Sequence, residues 1–221
     1  QFPGMTVLAT ASADLRPSDL VVWAVKPQTF KDAAAAAHAH VDGALHLSVA
    51  AGITSESIAA WLGTQRIVRA MPNTPALVGL GMTGLMARAA VNADDMALVE
   101  RVVRTTGDLV WVNVESDLDA VTALSGSGPA YVFFFLEAMR DAGARMGLAP
   151  EVAQQLAIGT FIGAATLAQR SSDPLQVLRE RVTSKGGTTY AAITSMEASD
   201  MKALFEKALV AAQTRAAELR A

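Results

Sequence analysis

The chain contains no cysteine. That removes disulfides, thiolate metal sites and a thiol nucleophile together, and it is the composition expected of a cytoplasmic protein. Positive charge is not in excess either: 18 Lys and Arg stand against 21 Asp and Glu, for a formal net charge of -3. Neither nucleic acid nor an anionic membrane surface is expected as a partner. Although 52% of the residues are apolar, no uninterrupted apolar run reaches the length of a bilayer span. Gln1 to Met5 carry no basic stretch followed by an apolar core, so nothing marks export. Histidine is scarce, with His38 and His40 two apart on an expected helix and His46 on an expected strand. Two helical positions that far apart face different sides, so no metal site is expected. A G-x-S-x-G elbow is missing, which argues against a serine hydrolase, and no Walker pattern is present. The chain also opens without Met, in loop and strand material. About sixty further residues, enough for one βαβ unit, are expected ahead of Gln1.

What is present is organised around two glycine-rich stretches. In Thr122-Ala-Leu-Ser-Gly-Ser-Gly-Pro-Ala-Tyr131, Ser127 suits a helix N-cap and Pro129 the first turn, before the apolar run Tyr131 to Leu136. This reads either as a capped start to a buried helix or as a ligand-facing turn whose free amides favour negative charge. Val182-Thr-Ser-Lys-Gly-Gly-Thr-Thr189 again sets glycines and hydroxyls before a helix-like run. Such amides and hydroxyls suit a carboxylate or phosphate without a metal.

Apolar runs at 6–9, 20–25, 44–50, 67–71, 82–86 and 109–112 predict strands, and helices are expected at 28–41, 54–62 and 94–106 between them. Alternation of the two is the pattern of a doubly wound α/β sheet, with continuous apolar strands suggesting parallel pairing. Beyond Asn113 the strands stop. Helices are expected over roughly 117–124, 128–146, 150–170, 174–182, 188–196 and 199–220, with Gly147, Pro150 and Pro174 as punctuation. Their apolar faces are wider than mutual packing of short helices requires, which points to a partner subunit. Ligands of doubly wound sheets sit at the carboxyl ends of strands, where Ala24 to Pro27, Ala50 to Gly52 and Met71 to Pro75 fall. Hydroxyls and backbone amides, with no candidate general base beside them, suit an enzyme whose cofactor brings the chemistry. Lys26 reads as either an exposed loop lysine or a phosphate or ribose contact, and Asn73 also suits plain turn chemistry.

Taken together, A-V-K-P-Q at 24–28, S-V-A-A-G at 48–52, R-A-M-P-N-T-P at 69–75, D-A-V-T-A-L-S-G-S-G-P-A-Y at 119–131 and V-T-S-K-G-G-T-T at 182–189 resemble pyrroline-5-carboxylate reductases, in the family's order. The resemblance implies a truncated Rossmann-like dinucleotide-binding domain over 1–113 and an all-α domain over 114–221 for substrate binding and dimerisation, as a homodimer or higher oligomer. It further implies reduction of 1-pyrroline-5-carboxylate to L-proline by NADPH or NADH. By the same resemblance Ala24, Val25, Lys26, Pro27, Val49, Ala50, Ala51 and Asn73 are cofactor-binding positions, and Thr122 lies by the substrate's ring nitrogen. Val182, Ser184, Gly187, Thr188 and Thr189 match a carboxylate-binding loop contributed across the dimer. Glu115 matches a substrate-site glutamate of some relatives, or is an ordinary surface carboxylate.

The family's glycine-rich pyrophosphate turn is absent from these residues, so the chain as written is expected to bind dinucleotide poorly. Ala11 stands where some relatives carry a ribose-facing asparagine, and Lys185 where many carry proline. Two rivals stay open: a hydroxyacid dehydrogenase, which needs a buried basic group such as Lys185 would have to supply, and an assembly module without activity.

Overall fold

A computed structural model describes residues 4–16 and 18–220. These described residues form two compact units, one of those up to 129 together with 211–220 and the other of residues 130–210. The first holds a five-stranded sheet in the order β1 (Leu20–Trp23), β2 (Leu45–Ser48), β3 (Ile67–Met71), β4 (Gly81–Ala87), β5 (Gly107–Trp111). Three helices are interleaved with the strands: α1 (Pro27–Ala37), α2 (Ser55–Leu62) and α3 (Ala93–Val103).

Pairing is parallel from β1 to β3 and again between β4 and β5, but β4 runs antiparallel to β3. The sheet is therefore mixed. Its reversal follows from chain length: only residues 72–80 join β3 to β4, and they are spent on a single 3₁₀ turn, Thr74–Val78. A parallel return needs a crossover of a dozen or more residues. Between β4 and β5 the chain has that length, and it builds α3. Thr6 to Ala9, expected as a strand, lie outside the sheet and are largely exposed. Four residues with a partly apolar pattern carry too little to hold an edge without a paired neighbour.

Helix ends explain themselves locally. Pro27 opens α1 with its missing N–H where no partner is needed. The helix tightens into a 3₁₀ turn at His38–His40 rather than running to Val41. Thr54 accepts from the Ser57 amide at the start of α2, and Asn92 and Asp95 form a reciprocal capping box on α3. Both faces of the sheet are covered. Trp23, Phe30, Ala34, Ile58, Leu62 and Ile67 pack on one side, and Leu45, Leu47, Val68, Leu85, Val99 and Val103 on the other. Each such large aliphatic or aromatic side chain contributes roughly 1.5–3 kcal/mol on burial. His46 is buried among them with Trp23 Nε1 donating to its Nδ1 at 3.1 Å.

The first unit continues through α4 (Asp117–Val121) and into the start of α5 (Gly128–Arg145). The second unit takes the rest of α5, α6 (Pro150–Arg170), α7 (Leu175–Arg181), α8 (Thr188–Ala198) and α9 (Met201–Leu219) up to Val210. Gly143 lets α5 and α6 approach closely, since a Cβ there would stand 2.7 Å from that of Ala153. Buried residues in this unit are nevertheless limited, among those described, to Gly143, Ala153 and Ala157. Phe134 is 68% exposed and Ile162 63%. Helices with so much uncovered apolar surface lack a core of their own. Among the described residues, no helix is long and apolar enough to cross a membrane.

Candidate active site

Three loops leave the carboxyl ends of β1, β2 and β3 along one edge of the sheet. After β1, Ala24 and Lys26 are exposed and Val25 and Pro27 half-buried. Lys26 holds the N-cap position of α1 in an extended conformation, with no side chain capping the helix. Pro27 has no N–H to satisfy, and the Thr29 amide turns back onto the Lys26 carbonyl at 3.0 Å. After β2, the Val49 amide completes the ladder to the Trp23 carbonyl at 3.2 Å, and the Ala50 amide is taken by Ser48 Oγ at 3.3 Å. Ala50 is buried and Ala51 exposed. Small residues on a backbone edge stand here beside a helix start that no side chain caps, an arrangement suited to a phosphate-bearing ligand.

Asn73 is committed to protein partners. Its Nδ2 donates to the Ser125 carbonyl (3.3 Å) and hydroxyl (3.2 Å), and its Oδ1 accepts from the Met82 amide at 2.9 Å. It ties the β3 exit to β4 and to the glycine-rich stretch.

That stretch is not the capped turn expected from its sequence. Thr122–Gly126 is a π-helical segment joining α4 to α5, and Ser127 is itself in a helical conformation, its amide donating to the Thr122 carbonyl at 2.8 Å. The helix start with open amides is thus replaced by a continuous, widened helix. Pro129 explains the change, since a proline cannot donate to the carbonyl four residues back and its ring would press on it. The carbonyl so released belongs to Ser125, and it is the one that Asn73 satisfies. Gly126 serves packing: a Cβ there would stand 2.7 Å from the Met71 methyl. Single-turn π segments mark functional sites often, and Thr122 opens this one. Its hydroxyl donates to the Leu118 carbonyl at 2.6 Å. With its proton committed, the oxygen presents lone pairs to any neighbour.

Glu115 is neither a free surface carboxylate nor an empty-handed acid. One oxygen accepts from the Ser55 amide (2.6 Å) and Arg69 (2.8 Å), the other from the Ser55 hydroxyl (2.8 Å). Arg88 also donates to that hydroxyl at 3.0 Å. Burial pushes the Glu115 carboxyl up, but hydrogen bonds from Arg69 and from Ser55 outweigh it and hold the group below its ordinary range. The residue caps α2 and neutralises a buried arginine. No spacing rule could have shown this, because Ser55 lies sixty positions earlier.

In the second unit, Val182 ends α7 and Gly187 precedes α8 in an extended conformation, with no side chain capping the helix. Gly186 between them is left-handed at φ 77°, a conformation that favours glycine. The Gly187 amide closes a turn onto the Ser184 carbonyl at 3.0 Å. Val182, Ser184, Gly187 and Thr188 are exposed and Thr189 half-buried. Hydroxyls and first-turn amides therefore collect at one uncapped helix start, the arrangement that suits a carboxylate.

Sequence reasoning missed a polar seam beneath Thr122. A small cavity of about 40 Å³ is walled by Ala51, Gly52, Arg69, Asp119, Thr122 and Arg220, among others. Asp119 is buried and pairs with Arg220 at 3.0 Å. Asp119 stands inside the quoted 119–131 motif, one turn before Thr122, and that placement was the one available signal.

A family model described as pyrroline-5-carboxylate reductase dimerisation matches residues 115–219. The chain is 47% identical over 213 residues to a pyrroline-5-carboxylate reductase of Pseudomonas aeruginosa, covering 96% of this chain and 77% of that one. With the enzyme of the same name from Arabidopsis thaliana it shares 38% over 217 residues, covering 98% and 78%. Among solved structures, a pyrroline-5-carboxylate reductase from Coxiella burnetii superposes with a TM-score of 0.89 at 41% identity, over 95% of this chain and 80% of that one. A Plasmodium falciparum pyrroline carboxylate reductase with NADP bound gives 0.86 at 29%, over 100% and 86%.

Proposed function

Because this chain belongs to the pyrroline-5-carboxylate reductase family, an NAD(P)H-dependent oxidoreductase family, we propose how its own residues carry out the reduction of 1-pyrroline-5-carboxylate to proline. When bound, NADPH or NADH supplies the hydride that the C=N carbon accepts. Ala24, Val25, Lys26 and Pro27 with Val49, Ala50 and Ala51 hold it along the sheet edge, while Asn73 keeps that edge in register through its ties to Met82 and Ser125. The pyrophosphate turn typical of the family is not among these residues.

The single observation that carries the reading is the direction of the Thr122 hydrogen bond. Its hydroxyl proton points at the Leu118 carbonyl, so Oγ1 can only accept. A protonated cyclic imine offers one N–H donor on its ring, and acceptance by Thr122 fixes the ring while favouring the protonated, electrophilic form. No strong protein acid is then required, which accords with the absence of histidine from this stretch. Ser184, Gly187, Thr188 and Thr189, with Val182 alongside, grip the substrate carboxylate from a second copy of the chain. Support for that copy comes from the exposed apolar helix faces and the dimerisation character of the family match over 115–219. In this reading residues 1–113 serve the cofactor and 114–221 the substrate and the homodimer, and the enzyme works in the cytoplasm. Glu115 supports the site from below, through Ser55 and Arg69, instead of touching substrate.

Thr122→Ala tests the reading. Loss of a hydrogen bond to a charged partner, about 1.5–3 kcal/mol, should lower kcat by roughly 10- to 100-fold. Undiminished kcat would reduce Thr122 to a helix residue.

A further inference from the structure

The last turns of α9, from Ala211 onward, pack with the sheet unit. There Ala216, Leu219 and Arg220 complete the wall of the small cavity that Thr122, Asp119, Ala51 and Gly52 line from the other sides. Two contacts fix this arrangement. Arg220 pairs with Asp119 at 3.0 Å, and the aspartate side chain is only 11% exposed. The Leu219 carbonyl lies so close to Gly52 that a Cβ at that position would stand 2.7 Å from it. One short piece of chain therefore touches both the helix ahead of Thr122, through the Arg220 side chain, and the turn at Gly52, through the Leu219 carbonyl.

We infer that the end of α9 is a latch that positions Thr122, with Arg220 and Asp119 as its positioning residues. Asp119 stands one turn before Thr122 on the same helical stretch, immediately ahead of the π-helical segment. A π segment is a helix held in a less favourable winding, and it keeps that form only while its flanks are fixed. Asn73 fixes the far flank through Ser125. Arg220 fixes the near one through Asp119. Neither residue of the pair touches substrate; the pair acts by holding the Thr122 oxygen where the imine nitrogen will be, and a misplacement on the order of 1 Å costs about 100-fold in rate.

This inference rests on the reading of Thr122 as the imine contact, and the experiment separates the two. Arg220→Ala and Arg220→Lys are made in the natural full-length enzyme and Arg220→Ala also in a Thr122→Ala background, with kcat, KM for imine and thermal midpoint measured for each. The latch predicts that Arg220→Ala lowers kcat about tenfold with little change in KM for imine, that lysine restores most of it, and that the same substitution adds no further loss once Thr122 is alanine. Unchanged kcat in Arg220→Ala, an equal loss in both backgrounds, or lysine no better than alanine would overturn it. If Thr122→Ala alone is fully active, the imine contact itself is wrong and the latch falls with it. If that variant is impaired while Arg220→Ala is not, only the latch is wrong.

Discussion

Replacing Glu115 with alanine should destabilise the protein far more than it weakens substrate binding. Three hydrogen bonds disappear at once. The Ser55 amide at the start of α2 loses its acceptor, a capping loss of about 1 kcal/mol. Arg69 matters more, because its side chain is only 7% exposed and its Nε has no acceptor of its own among the described residues. Stripping one partner from a fully buried ion pair costs about 3–5 kcal/mol. Since the Glu115 side chain is 21% exposed, water can reach the gap and the lower end applies, so with the capping loss about 4 kcal/mol in total is expected. Urea denaturation at fixed protein concentration measures this, with KM for imine measured alongside. The sign with pH also follows. A carboxyl held below the 4.5 of a free group stabilises the fold fully above that pH and loses its contribution as the pH falls through the lowered folded-state value. Wild type should therefore lose stability in that acid window faster than Glu115→Ala does. An unchanged denaturation midpoint together with a tenfold higher KM would refute the reasoning and return Glu115 to the substrate site.

His46 offers a second titration. Its pKa is lowered to about 4, chiefly by burial and further by the charge of Arg66, so it stays neutral in the fold while the unfolded chain takes up a proton below about 6.5. Stability should decline by up to ~3 kcal/mol as pH falls from 6.5 to 4, and His46→Gln, which leaves Trp23 an acceptor, should flatten that part of the curve in denaturation measurements. Thr122→Ser keeps both the donor to Leu118 and the proposed acceptor for the imine, so it should retain most of the kcat that Thr122→Ala loses; a serine variant as slow as alanine in steady-state assays would mean the methyl group, and not the oxygen, matters.

Much of this architecture was legible in the residues. The run Leu20 to Val25 and the punctuation at Gly147, Pro150 and Pro174 placed strands and helices within a few positions of where they lie, because each rests on a local rule. Strand direction did not follow from apolarity. Gly81–Ala87 reads the same whether parallel or antiparallel, and only the short link from β3 forces the reversal. Gly126-Ser-Gly-Pro129 misled for a different reason: the same residues suit a capped helix start and a π-helical bulge, and Asn73, fifty-two positions away from Ser125, decides between them. The partners of Glu115 and Asp119 were beyond reach for the same cause. The order of the motifs is what the proposed cofactor edge and carboxylate loop rest on, whereas the polar seam beneath Thr122 exists only after folding.

The proposed grip on the substrate carboxylate is tested most directly by comparing kcat/KM for 1-pyrroline-5-carboxylate with that for 1-pyrroline, which lacks the carboxyl group, in wild type and in a Ser184→Ala, Thr189→Ala double variant. Hydrogen bonds to a charged group contribute about 1.5–3 kcal/mol each, so the preference of the wild type for the carboxylated imine should shrink by at least about tenfold in the variant, with turnover of 1-pyrroline unchanged. A preference that survives intact would show that the loop from Val182 to Thr189 does not hold the substrate.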